Sequence, residues 1–133
     1  MHEASIVANV FLIVRGKMDK LYGRRYPVKN IRVVVGQMST VVPEALDFAF
    51  ELVGAGTEFQ DVKREIEIVP LRIHCNDCGT DMVIDEPFLF CRSCDSFNID
   101  IISGKELYVD SFEIDNEITV SHEADMEVKI NGN

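Results

Sequence analysis

Four cysteines constrain this chain more than any other feature. All lie in HCNDCGTDMVIDEPFLFCRSC, residues 74–94, as two Cys-x2-Cys pairs, Cys75 with Cys78 and Cys91 with Cys94, with twelve residues between the pairs. Two tight knuckles at that spacing aim four thiolates at one point, the tetrahedral all-sulfur shell that zinc accepts without electronic preference. Gly79, directly after the first pair, suits the sharp turn a knuckle needs. Asp95 holds the equivalent place after the second pair and is less at ease in a left-handed conformation. Two disulfides would need an oxidising compartment, and the opening MHEASIV carries no basic n-region of a signal peptide. A thioredoxin-like redox motif uses one Cys-x-x-Cys and leaves the second without a role. Structural zinc is therefore expected, with an iron-thiolate centre or redox switching as its rivals. A filled shell leaves no position for water or substrate, so the metal is expected to fold the segment rather than catalyse. Nearby, Phe88, Leu89 and Phe90 with Met82, Val83 and Ile84 are too few for an independent core. Zinc binding, on the order of 10 kcal/mol in small zinc modules, supplies what their burial does not.

The rest of the chain has to be read around that module. With 133 residues, 47% hydrophobic and 27% charged, it suits one ordinary domain plus a small one, without an apolar run long enough to span a membrane. A cytoplasmic location is expected. The formal net charge is −10, and four thiolates around one dication would add two more negative charges. Nucleic-acid affinity comes largely from neutralising phosphates, so this balance argues against a nucleic-acid-binding zinc ribbon and favours cationic or protein partners.

Along residues 4–21, Ile6, Val10, Ile13 or Val14, Met18 and Leu21 recur at helical spacing, which predicts a helix packed on a sheet. Arg15, Lys17, Lys20, Arg24 and Arg25 gather toward its C-terminal half and read as a solvated basic face that complements the helix dipole. Residues 28–36 are rich in β-branched side chains, with Ile31, Val33 and Val35 on one face, and predict a strand. Pro43 suits the first turn of a second helix through EALDFAFELV, with Leu46, Phe50, Val53 and Ala49 as its apolar stripe. Residues 62–69 alternate as a half-buried strand that Pro70 ends. After the second knuckle, KELYVDSFEID reads as a third strand whose apolar parity switches, so a bulge near Asp110 or Ser111 is expected. The fold class is α+β. Residues 1–70 with 105–116 form a three-stranded sheet and two helices, and residues 71–104 form an inserted four-cysteine, zinc-ribbon-like domain. For the extension 117–133 two readings stand: a hairpin pairing Ile118 and Val120 with Val128 and Ile130, or a loosely ordered acidic tail.

The N-terminal MHE, the VGQMSTVVPEALDFAFELV segment, the CNDCG and CRSC knuckles and the SGKELYV exit together resemble the HypA/HybF family, over nearly all of residues 1 to about 116 and in the same order. Those proteins are nickel metallochaperones for [NiFe]-hydrogenase maturation. The resemblance implies a nickel site on Met1, His2 and Glu3 and a zinc site on Cys75, Cys78, Cys91 and Cys94. It further implies work with a HypB-type GTPase and a hydrogenase large-subunit precursor, and in some organisms with urease maturation proteins; membrane and nucleic-acid partners are not expected, and the chain would be a monomer or homodimer. The nickel chemistry is sensible on its own terms. A terminal amine, the His2 imidazole and intervening amide nitrogens can close chelate rings around Ni(II), which accepts square-planar nitrogen donors. Glu3 would orient this site or supply its backbone. Without the resemblance, a histidine at position 2 reads as part of a mobile terminus, and Glu3 as a complement to the helix dipole. Some members place a histidine directly after each Cys-x-x-Cys, where this chain has Gly79 and Asp95, so a zinc site that responds to pH or nickel in that way is not expected.

His74 reads as a surface or supporting histidine rather than a spare ligand, and His122 as no ligand. The rival to a nickel carrier is an acidic zinc-ribbon scaffold that only mediates protein contacts. Stoichiometry separates them, one metal for the scaffold and two for the carrier. Among three histidines no catalytic constellation is legible, so an enzyme is not expected.

Overall fold

The first helix, α1 (Glu3–Tyr22), turns its apolar stripe of Ile6, Val7, Val10, Phe11, Val14 and Met18 inward in a computed structural model that describes residues 3–86, 88–114 and 118–129. Gly23, at φ +68°, stops it, with its N–H donating to the Asp19 carbonyl at 3.0 Å, a glycine cap in the left-handed region. The chain then runs through β1 (Val28–Gly36), α2 (Pro43–Gly54), β2 (Lys63–Val69), β3 (Arg72–Cys75), β4 (Asp81–Val83), β5 (Ile99–Ser103), β6 (Leu107–Ile114) and β7 (Ile118–Ser121). Its strands form two sheets, one ordered β2-β1-β6-β7 and the other β4-β3-β5.

Two compact units result. The first takes the chain up to Val34, Val41–Glu67 and the residues from Leu107 on. Its core brings Phe11 against Phe59 as a stacked pair, centroids 3.9 Å apart, with Phe50 edge-on at 5.7 Å. Gly54 packs tightly there, since a Cβ at its position would lie 3.1 Å from the Phe59 carbonyl oxygen and press on it. Pro43 opens α2 as expected, while Val42 before it offers no capping side chain. The Val42 N–H instead donates to the Glu3 carboxylate at 3.1 Å, so the first residue of α1 closes the start of α2.

The second unit comprises Val35–Thr40 and Ile68–Glu106. It thus begins in the last residues of β1, which the sequence alone groups with the first unit. Gly36 and Met38 donate backbone hydrogen bonds to the carbonyls of Glu106 and Gly104, and a Cβ on Gly36 would meet the Gly104 oxygen at 2.0 Å. The core of this unit is Leu71, Ile73 and Ile84, with Met38, Met82, Leu89, Ile99 and Ile101 packed on it. Of the cluster expected from the sequence, Met82, Ile84 and Leu89 belong to this core, whereas Val83, Phe88 and Phe90 lie outside it, Val83 and Phe88 exposed.

The three expected strands of the larger sheet are present, and the C-terminal extension adds a fourth. β7 pairs antiparallel with β6 from Ser111↔Ser121 to Ile114↔Ile118. Neither reading of the extension holds as stated. Its first half pairs with β6 rather than with Val128, a 3-10 turn Ala124–Met126 follows, and Ile130 lies outside the described residues. Apolar burial decides the outcome: Val120, Met126 and Val128 are covered, Met126 completely. The parity switch of β6 is visible in its burial, with Leu107 and Val109 buried before it and Phe112 and Ile114 after it, while the pairing with β7 runs without a register shift.

One expected surface charge is buried. Lys17, read from sequence as part of a solvated face, is only 3% exposed. Its ammonium lies 2.5 Å from Glu123 Oε1 and 3.0 Å from Asp125 Oδ1. Those carboxylates raise its pKa, Glu123 foremost. A lysine can be covered this far because its aliphatic stem packs while its charge is met by paired oxygens. Arg15 likewise leaves the solvated face and forms a two-pronged pair with Glu58, both bonds 2.9 Å.

Candidate metal centre

The knuckles form where the sequence places them. At Cys75, the N–H of Gly79 donates to the Cys75 carbonyl at 2.9 Å, and the Cys78 N–H points at Cys75 Sγ at 3.4 Å. At Cys91, the N–H of Asp95 donates to the Cys91 carbonyl at 2.8 Å, and the Ser93 N–H points at Cys91 Sγ at 3.3 Å. Both turns end on a left-handed residue, Gly79 at φ +78° and Asp95 at φ +64°. Aspartate is among the few non-glycine residues that visit this region readily.

All four Sγ atoms lie within 4.8 Å of one another. Cys75 to Cys94 and Cys78 to Cys91 are each 3.6 Å apart. A tetrahedron with metal–sulfur bonds of about 2.3 Å has edges of about 3.8 Å. The donor set therefore fits a zinc-sized ion with little adjustment. The same distances exclude disulfides, whose sulfurs stand about 2.05 Å apart, and all four cysteines are free. Cys75 and Cys91 are buried and Cys78 and Cys94 exposed, so one member of each pair anchors the site in the unit and the other closes it from outside.

Thiols this close cannot all ionise without a cation. The Thr80 hydroxyl, 3.3 Å from Cys78 Sγ, and a backbone hydrogen bond at Thr80 lower the Cys78 pKa to about 6. At Cys94 a backbone hydrogen bond at Ser96 favours the thiolate, but burial and hydrogen bonds from the neighbouring cysteines outweigh it and push the thiol up to about 12. A dication in the centre reverses that balance and holds every sulfur as thiolate, so loading at neutral pH must expel the Cys94 proton.

A polar clasp that sequence reasoning missed joins the two knuckles. Asp77, inside the first, accepts hydrogen bonds from the Ser96 hydroxyl and from Asn98 Nδ2 at 3.3 Å. Asn76 donates to Asn98 through its side chain at 3.2 Å and its backbone at 2.9 Å. The available signal was Ser96 and Asn98 following the second knuckle at turn positions, where such side chains engage nearby backbone; indeed the Asn98 N–H donates to Ser96 Oγ.

The other candidate donors stand apart from the sulfurs. His74 Nδ1 lies 2.5 Å from Asp81 Oδ1 across the β3–β4 register, a partly exposed histidine engaged by that carboxylate. His122 Nδ1 donates to the Val109 carbonyl at 2.8 Å, and its Nε2 lies 3.3 Å from Glu127, so both ring nitrogens are used. Of the N-terminal set, Met1 and His2 lie outside the described residues. Glu3 begins α1, with its carboxylate on the Val42 N–H. Among the described residues, only the four cysteines gather as a metal-ligating group, and no helix is long and apolar enough to cross a membrane.

Comparison with known proteins agrees with this arrangement. The family model described as hydrogenase/urease nickel incorporation, metallochaperone, hypA matches residues 1–114. A hydrogenase maturation factor HypA from Moorella thermoacetica is 36% identical over 113 residues, 85% of this chain and 98% of that protein. One of the same name from Desulfatibacillum aliphaticivorans is 33% identical over 114 residues, 86% of this chain and 87% of that protein. The solution structure of the Ni metallochaperone HypA from Helicobacter pylori matches with a TM-score of 0.58 at 22% identity, covering 86% of this chain and 97% of that one. At that identity the match shows the fold alone.

Proposed function

The chain belongs to the HypA family of nickel-incorporation metallochaperones, and on that premise we propose that it binds one Ni(II) reversibly at its N-terminus and delivers it for [NiFe]-hydrogenase maturation. The observation that carries this reading is the closure of the sulfur site: four thiolates fill a tetrahedral shell, so a transported ion needs a second set of donors. The terminal amine and the His2 imidazole, with intervening amide nitrogens, supply donors that Ni(II) accepts. Glu3 would orient them, and its carboxylate already accepts a hydrogen bond from the Val42 N–H. Zinc in the four-cysteine site is then structural and does not exchange with the cargo.

Transfer proceeds by ligand exchange to a receiving protein, a HypB-type GTPase or the hydrogenase large-subunit precursor, and urease maturation proteins are a second destination consistent with the family's description. The chain acts as a carrier and not as an enzyme. Ligation requires a free amine and a neutral imidazole, groups with ordinary pKa values of about 7.7–8.0 and about 6.5. Protons therefore compete with nickel, and affinity falls as pH drops through that range.

Calorimetric titration of Ni(II) into zinc-loaded, tag-free protein beside His2→Ala tests the assignment. The expected result is one nickel site that the variant loses with its zinc content unchanged. Equal binding by both proteins would remove His2 from the site, and no binding by either would leave a zinc scaffold.

A further inference from the structure

The four-cysteine unit exposes aromatic side chains that its core does not use. Phe88 is 60% and Phe97 80% exposed. Both are linked to Arg92, Phe97 through the Phe90 ring and Phe88 through its backbone carbonyl. Phe97 packs on Phe90 with centroids 6.0 Å apart, and the Arg92 guanidinium sits 3.8 Å above the Phe90 ring. Arg92 also donates to the carbonyls of Phe90 at 2.6 Å and Phe88 at 3.0 Å, so it holds the segment around Phe88 in place. At Arg92 lies a cleft of about 280 Å³ lined by Val83, Ile84, Asp85, Glu86 and Arg92 itself. That volume falls below the range of drug-sized ligand sites and suits a single side chain. Val83 is 49% exposed on its wall. Among the described residues nothing pairs with Asp85 or Glu86, while Arg92 is already committed to the two carbonyls and the ring.

We propose that this face is a docking site for a protein partner presenting a lysine or arginine next to an apolar side chain. The cation enters the cleft, with its stem on Val83 and its charge on Asp85 and Glu86, and the apolar neighbour lies on Phe88 and Phe97. Charge selects this occupant. Residues 68–106 hold seven aspartates and glutamates against three lysines and arginines, and the metal-loaded thiolates add two negative charges, so cationic surfaces are steered here and nucleic acid is repelled. Rigid aromatics beside a desolvated charge are the usual anchors of protein interfaces. None of these residues is a nickel donor, so the site stands or falls separately from the N-terminal reading.

The test is a titration of the full-length, zinc-loaded chain with a peptide of alternating lysine and leucine, followed by amide chemical shifts. Saturable shifts centred on Val83–Glu86 and Phe88–Phe97 are expected, and Phe97→Ser should weaken binding by at least about tenfold, as truncating an anchor does. Asp85→Asn with Glu86→Gln should do the same, while Asp100→Asn on the opposite edge strand should not. Both surface variants should keep their zinc. Shifts scattered over the acidic surfaces of both units, binding unchanged by Phe97→Ser, or no saturable binding would overturn the proposal.

Discussion

Replacing Gly79 by alanine isolates the backbone requirement of the metal centre. Gly79 sits at φ +78°, and a Cβ built there meets no atom within 4 Å, so the substitution introduces no clash. What remains is the left-handed conformation, which costs an ordinary residue about 1–2 kcal/mol. Alanine also restricts the unfolded chain, which returns about 0.4–1 kcal/mol. At mid-range the net penalty is about 0.8 kcal/mol, about a fourfold change in an equilibrium constant. If metal binding and folding of the unit are one process, that penalty falls on zinc affinity, which competition with a chromogenic chelator measures. At the second knuckle the ordering of substitutions should reveal the same requirement. Asp95→Gly should stay within about 0.5 kcal/mol of the parent, because aspartate already tolerates φ +64°. Asp95→Val, β-branched and poorly suited to positive φ, should lose more than Gly79→Ala. Unchanged affinity in both Gly79→Ala and Asp95→Val would refute the argument that left-handed knuckles shape the bound state.

Other predictions concern the first unit. Met126 is fully buried, so Met126→Ala should cost about 2–3 kcal/mol, toward the low end for core methionines, in urea unfolding followed by circular dichroism; a loss below about 0.5 kcal/mol would mean the extension is no part of the core. Glu58→Gln should cost about 1–2 kcal/mol at neutral pH by removing a charge-assisted pair with Arg15. The Arg15 hydrogen bond lowers the Glu58 pKa, so this contribution is present above the unfolded carboxylate value of about 4.3 and disappears as pH falls below it. A penalty that persists at pH well under 4 would point to packing rather than charge.

The parts of the molecule that announce themselves in the sequence are those governed by short-range rules. The two Cys-x2-Cys pairs specify the sulfur cluster because the spacing itself makes each knuckle. The periodic stripes of α1 and α2 specify their buried faces. Features set by tertiary neighbours were hidden. Lys17 looks like any other member of a basic run until Glu123 and Asp125, more than a hundred residues later, arrive over it. β3, β4 and β5 are only three to five residues long; short strands of that kind are held by their pairing, not by a hydrophobic period. The extension looks acidic and loose, yet three well-spaced apolar residues, Val120, Met126 and Val128, bury it. The clasp of Asp77, Ser96 and Asn98 depends on bringing two distant knuckles together, which the β3–β5 pairing and the sulfur cluster do in the folded unit.

The central claim is that two metals occupy two chemically distinct sites on one chain. X-ray absorption at the nickel and zinc edges of tag-free protein carrying one equivalent of each reads both environments at once. Zinc should show only sulfur neighbours, about four at about 2.3 Å, and nickel only nitrogen or oxygen neighbours. Sulfur in the nickel shell, or nitrogen in the zinc shell, would contradict the separation of cargo and structural metal.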